Sequence, residues 1–256
     1  MTGGLIQLTA YGAQNVYLNN NPQITFFKKV YRRHSNFAIE NINVKFENIP
    51  SFRGSTVISN CKIPRSGDVI RNIYLKLVLP SVTDSGKFLW SRNIGSEIIN
   101  KINILVGGNK IDTIPEHWIT IYNELILNEQ KKTYFNELTG NVYELHSKYG
   151  NKPSRTLYIP LPLFFSKSSG AAIPLVALQY HELELQFEFK NITDMYTGTP
   201  LETLDIDDIS LDIEYIFLEN DERNRFSKID HQYLIDTIQY TNFSNISQNA
   251  ILELKL

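Results

Sequence analysis

The residues best suited to chemistry lie near the N-terminus. Lys28, Lys29, Arg32, Arg33 and His34 are interleaved with Phe26, Phe27, Tyr31 and Phe37. Cations beside planar rings can neutralise phosphates and stack on bases. Arg and aromatic side chains are equally the types that anchor protein–protein contacts. The chain carries 25 basic and 27 acidic residues, a formal net charge of -2, so no global field draws it toward nucleic acid. The basic run is also short. The segment therefore reads as a protein interaction surface made by Phe26, Phe27, Lys28, Tyr31, Arg32, Arg33 and Phe37. No sequence-specific nucleic-acid partner is expected.

The other reactive residues assemble no recognisable centre. His34, His117, His146, His181 and His231 show no metal-ligand spacing among themselves. The acidic group Asp205, Asp207, Asp208 and Asp212 lacks the order and central glycine of a calcium loop and reads as a solvated strand entry. Glu182, Glu184 and Glu188 fall on the wet side of one strand, whereas catalytic carboxylates flank a substrate. Gly107-Gly108 and Gly140-Asn141 are turn glycines, since no Gly-Lys-Ser/Thr follows them, and no nucleophile elbow is present. The expectation is no catalytic residue, no metal and no cofactor. The single cysteine, Cys61, forms no internal disulfide and reads as a small buried side chain, which fits a reducing compartment. Sequons at Asn191, Asn242 and Asn245 read as chance matches, because no signal peptide precedes them. No apolar run is long enough for a transmembrane segment.

The elements around these residues are mostly strands. Ile42, Val44 and Phe46 alternate with polar neighbours, and so do Ile73, Leu75, Leu77 and Leu79. Leu183, Leu185, Phe187 and Phe189 repeat the pattern, as do Ile209, Leu211, Ile213, Tyr215 and Phe217. Period-two alternation buries one face and wets the other, the mark of antiparallel sheets. Residues 56–63 and 155–160 are further candidates. Residues 102–106 and 110–114 make a hairpin around Gly107-Gly108-Asn109. Trp118, Ile121, Tyr122 and Leu125 have the spacing of one apolar helix face. A second short helix is expected over 220–227, and a third is possible where Phe26, Phe27, Val30 and Tyr31 share a face. Leu252, Leu254 and Leu256 resume a strand pattern at the end of the sequence. About eight strands with a short inserted helix suit an all-β antiparallel sandwich, and pattern alone leaves its winding open.

The opening of the chain supplies a more specific signal. The stretch Gly3-Gly4-Leu5-Ile6-Gln7-Leu8, then Ala10-Tyr11-Gly12-Ala13-Gln14-Asn15, resembles the start of the major capsid proteins of nucleocytoplasmic large DNA viruses. So do Asn21-Pro22-Gln23-Ile24-Thr25-Phe26-Phe27-Lys28 and Tyr31-Arg32-Arg33-His34-Ser35-Asn36-Phe37-Ala38. Ile173-Pro174-Leu175, Ala177-Leu178-Gln179-Tyr180-His181-Glu182 and Asp221-Glu222-Arg223 continue the likeness. The resemblance implies a jelly-roll sandwich with an extended N-terminal arm over 1–37. It implies a first jelly roll over 38–218, and a connector over 219–256 that begins a second, truncated or missing jelly roll. It further implies a structural subunit of an icosahedral capsid, made and assembled in the host cytoplasm and found in the virion. Its partners would be copies of itself in a trimer, neighbouring capsomers and minor capsid proteins, with the arm at the capsomer base. A jelly-roll binding module, such as a lectin with aromatics on a concave sheet, is the alternative reading.

Overall fold

A computed structural model describes residues 6, 8–10, 12–22, 24–27, 34–53, 57–83, 88–147, 150–198 and 204–241. The chain divides into two compact units, residues 1–36 and 37–256. In the first, α1 (Asn15–Asn19) is a short helix, and Ile6, Leu8 and Thr9 are helical as well. Phe26 and Phe27 lie in a bend and not in a helix, while Val30 and Tyr31 fall outside the described residues. The strand pattern at 252–256 lies outside them too.

The second unit is built on the expected alternation. Its strands are β1 (Phe37–Lys45), β2 (Val57–Lys62), β3 (Val69–Leu79), β4 (Leu89–Trp90), β5 (Ile99–Val106), β6 (Asn109–Pro115), β7 (Arg155–Pro160), β8 (Ile173–Pro174), β9 (Leu183–Phe189), β10 (Tyr196–Thr197) and β11 (Asp208–Leu218). Sheet one runs β1-β11-β3-β7, with β8 also on β3, and sheet two runs β2-β9-β5-β6; β4 and β10 form a separate two-stranded piece. Every pairing is antiparallel.

The winding follows from the pairs. β5 pairs β6, β3 pairs β7, β2 pairs β9 and β1 pairs β11. These are the rungs of one long hairpin whose tip is the turn at Gly107 and Gly108. Both glycines have positive φ, 57° and 80°, as such a tight turn needs. Rolling that hairpin brings β11 against β3 and β5 against β9, which closes the two sheets. The result is a jelly roll.

Side chains at alternate positions fill the space between the sheets. Leu75, Leu77, Leu211 and Ile213 of sheet one and Ile102, Ile104, Leu185 and Phe187 of sheet two are all fully buried in one cluster. Phe46 and Phe187 meet edge-on at 5.3 Å, and Phe52 meets Phe189 at the same distance. Each such side chain is worth about 1.5–3 kcal/mol of burial.

The link from β6 to β7 holds more helix than one segment. It contains α3 (Trp118–Ile126), α4 (Glu129–Thr139) and α5 (Tyr143–His146), while α2 (Ile94–Glu97) precedes β5. In α4 the Asn128 side chain accepts the Lys131 N–H at 3.2 Å, and Gly140 ends the helix at φ 82°. Lys152 fastens this link. Its buried ammonium donates to the Ser147 carbonyl at 2.6 Å and to the Glu144 carbonyl and Ser147 Oγ, each at 3.1 Å. The last helix, α6 (Asn220–Lys228), follows β11 directly.

Candidate assembly interface

The proposed contact residues near the N-terminus are only partly described. Phe26 and Phe27 are 91% and 92% exposed, with rings edge-to-face at 5.1 Å. Two mutually packed rings thus leave a large apolar area in solvent. Phe37 opens β1 and is 62% exposed. Lys28, Tyr31, Arg32 and Arg33 lie outside the described residues.

The outward faces of the two sheets differ. On sheet two, a row of polar side chains crosses all four strands. Gln186 donates to Asn60 Oδ1 at 3.3 Å, Asn103 to Gln186 Oε1 at 3.0 Å, and Thr113 to Asn103 Oδ1 at 3.1 Å. The register places these four residues side by side. Among the described residues no exposed aromatic stands on this row, so the platform that a glycan-stacking site needs is not there. On sheet one, Phe37 lies opposite Leu218 and Ile39 opposite Ile216. Phe37 and Ile39 are exposed, so this end presents unpartnered apolar surface.

The junction after β11 is tightly built. Asp68 is buried at the start of β3; its Oδ2 accepts the Leu218 N–H at 2.9 Å, and its Oδ1 pairs with Arg223 Nε of α6 at 2.9 Å. Arg223 belongs to the Asp221-Glu222-Arg223 motif, so that motif docks the helix that leaves the sandwich. Residues 229–241 then run without regular structure along the same unit. Tyr233 Oη donates to the Ala172 carbonyl at 3.0 Å, and Asp236 pairs with Lys167 at 3.2 Å.

The remaining titratable clusters among the described residues are engaged in structural contacts. Glu97, Glu116 and His117 converge, a grouping that spacing hid because Glu97 comes from α2 and the other two precede α3. Lys190 already occupies their focus, pairing with Glu97 at 3.3 Å and with Glu116. Burial works against the Lys190 charge, but the two carboxylates outweigh it and hold its pKa above the ordinary lysine range. An ammonium thus sits where a cation would bind. Asp205 accepts the Ile206 and Phe52 N–H groups, at 2.9 and 3.3 Å, and Asp212 accepts from Asn43 at 2.6 Å, so the acidic group is spread along structure and does not converge. Glu188 accepts from Asn100 at 2.6 Å on the outer face of sheet two. Cys61 is fully buried; burial, then Glu47 and Glu184, push its thiol up to about 12, so no thiolate forms near neutrality. Asn191 caps a turn by accepting the Thr193 N–H at 3.1 Å. No helix among the described residues is long and apolar enough to cross a membrane.

The jelly-roll winding agrees with the comparison to known families. The family described as major capsid protein N-terminus matches residues 25–219. The chain belongs to this capsid protein family. Capsid protein 1 of Acanthamoeba polyphaga mimivirus is 37% identical, over 100% of this chain and 46% of its own length. The major capsid protein of Pyramimonas orientalis virus is 39% identical, over 98% of this chain and 62% of its own. The crystal structure of PBCV-1 VP54 superposes with a TM-score of 0.70 at 31% identity, covering 85% of this chain and 51% of that one. The Faustovirus major capsid protein, 10% identical, shares the fold with a TM-score of 0.67, covering 87% of this chain and 62% of that one. This capsid-family chain therefore spans about half the length of the relatives it matches. It stands with structural proteins and not with enzymes.

Proposed function

We propose that this chain is a structural subunit of an icosahedral capsid, self-associating into trimeric capsomers that tile the shell. The observation that carries the reading is the rolled eight-strand sandwich joined to close sequence kinship with viral major capsid proteins. A stiff sandwich supplies a wall; loops and arm supply contacts, and symmetry multiplies many modest interfaces into a stable shell. Residues 1–37 serve as the arm, 38–218 as the first jelly roll, and 219–256 as the connector into a second jelly roll. Phe26, Phe27, Lys28, Tyr31, Arg32, Arg33 and Phe37 contact neighbouring capsomers and minor capsid proteins. Synthesis and assembly take place in the host cytoplasm, and the product resides in the virion.

Native mass spectrometry with negative-stain electron microscopy tests this, on the chain alone and on the chain co-expressed with the sequence that follows residue 219 in its longer relatives. Trimers or larger closed arrays are expected in at least one preparation. Monomers in both, at every concentration and salt level, defeat the proposal.

A further inference from the structure

An apolar stripe on a short helix ordinarily faces its own core, because nine residues of isolated helix are marginal in water. In α3 Trp118 packs half-buried against the core and Tyr122 is half-buried, but Ile121, Leu125 and Ile126 of the same stripe stay at the surface. Only Ile119 of this helix is buried, while Leu125 is 76% exposed and Ile121 and Ile126 are exposed beside it. The stripe adjoins the outer face of sheet one. Tyr122 and Asn123 share a cleft of about 150 Å³ with Asn72 and Tyr74 of β3 and Pro160 of β7. At the opposite edge of that face stand the cross-strand pairs Phe37–Leu218 and Ile39–Ile216.

The ground between these apolar ends is already prepared for covering. Asn43 donates to Asp212 at 2.6 Å and to Ser210 at 2.8 Å, and Asn72 donates to both Glu214 oxygens at 3.2 Å. Polar groups that satisfy one another lose less on desolvation. The carboxylates of Asp212 and Glu214 are balanced on the same face by Lys45 and Lys76, which flank Ser210 in register. An identical neutral face can approach a balanced one without like-charge repulsion.

We infer that the outer face of sheet one, with the α3 stripe as its rim, is covered by a second copy of this chain. The inference rests on the capsid-subunit reading and names the surface that reading leaves open. Phe37, Ile39, Ile121, Leu125, Ile126 and Tyr158 together expose roughly 600 Å². A standard interface takes about 800 Å² from each partner, so these side chains supply most of what a stable contact requires. The polar row across sheet two offers no comparable apolar area, which sets sheet one apart as the association face.

The test compares Ile39→Lys and Leu125→Lys with Ile58→Lys. Ile58 is exposed on the outer face of sheet two, so the third variant makes the same chemical change on the other side of the sandwich. Sedimentation velocity is measured over a concentration series, in whichever preparation of the unmodified protein associates. Thermal midpoints show that each variant is folded. Ile39→Lys and Leu125→Lys are expected to raise the concentration needed for association about tenfold or more, and Ile58→Lys to leave it unchanged. Sheet-one variants that associate like the unmodified protein overturn this inference and leave the capsid reading standing. So does an equal loss from Ile58→Lys. An unmodified protein that never associates defeats the capsid reading itself, and this inference with it.

Discussion

Single residues show where this jelly roll gives up stability. Asp112 on β6 is buried, and burial raises its carboxyl pKa. The N–H groups of Thr113 and Ile238 and the charge of Lys167 pull it back only in part. A carboxyl whose folded pKa is raised holds its proton more tightly when folded. Its contribution to stability is therefore fully present below the unfolded value, about 3.9, and is lost as pH rises through the folded value. Asp112→Asn removes that loss and keeps an oxygen to accept the Thr113 N–H, now at 2.8 Å. Urea midpoints should coincide for the two proteins below about pH 4, and the variant should be the more stable at pH 7. The same margin at both pH values would show that the effect is packing and not ionisation. Nothing in the sequence marked Asp112: it sits in an ordinary strand, and one of the N–H groups that eases its burial comes from Ile238, 126 residues away.

At the scale of elements, alternation was a guide to the long strands and missed the two-residue strands β4, β8 and β10. The patterns over 42–46, 73–79, 183–189 and 209–217 all lie on strands or at their ends, and residues 155–160 are β7 without adjustment. What alternation left open was order, since period two says which face is greasy and not which strand lies beside which. The helices were harder. In α4 only Tyr134, Phe135 and Leu138 are large and apolar, and two of these three are exposed, so no stripe announces the helix. In α3 the stripe was legible, but its direction was not: spacing cannot tell a face turned to its own core from a face turned to another molecule. The hairpin tip offers a sharper element-scale test. A Cβ on Gly107 would lie 2.5 Å from His181 Nδ1, whereas one on Gly108 meets nothing within 4 Å. Both positions have positive φ, so alanine strains each by about 1 kcal/mol. Gly107→Ala should lower the denaturation free energy by a further ~1–2 kcal/mol beyond Gly108→Ala, because His181 or the turn must shift. Equal losses would mean that the loop bearing His181 yields freely.

For the whole molecule, the rolled hairpin makes the last strand a structural keystone. β11 lies between β1 and β3, and its residues Leu211, Ile213 and Tyr215 are fully buried. Without β11, sheet one falls into a lone β1 and a new edge on β3. The core also loses several large side chains, each worth about 1.5–3 kcal/mol, against a total stability of about 5–15 kcal/mol for a domain. The pairing that β11 supplies is also the most distant in sequence among the described strands, Phe37 with Leu218, so the loop-closure entropy for sheet one is met only when nearly the whole roll is in place. A chain ending at residue 206 should therefore show no cooperative thermal transition and should expose its β1 and β3 edges to aggregation. A chain ending at residue 228 keeps β11 and the Asp68–Arg223 junction, and should melt as one unit. Near-UV circular dichroism with differential scanning calorimetry separates the two outcomes. A cooperative melt for the 206-residue chain would mean that sheet two and the paired β3 and β7 already form a self-sufficient core, and that β1 and β11 are an addition to the fold and not its closure.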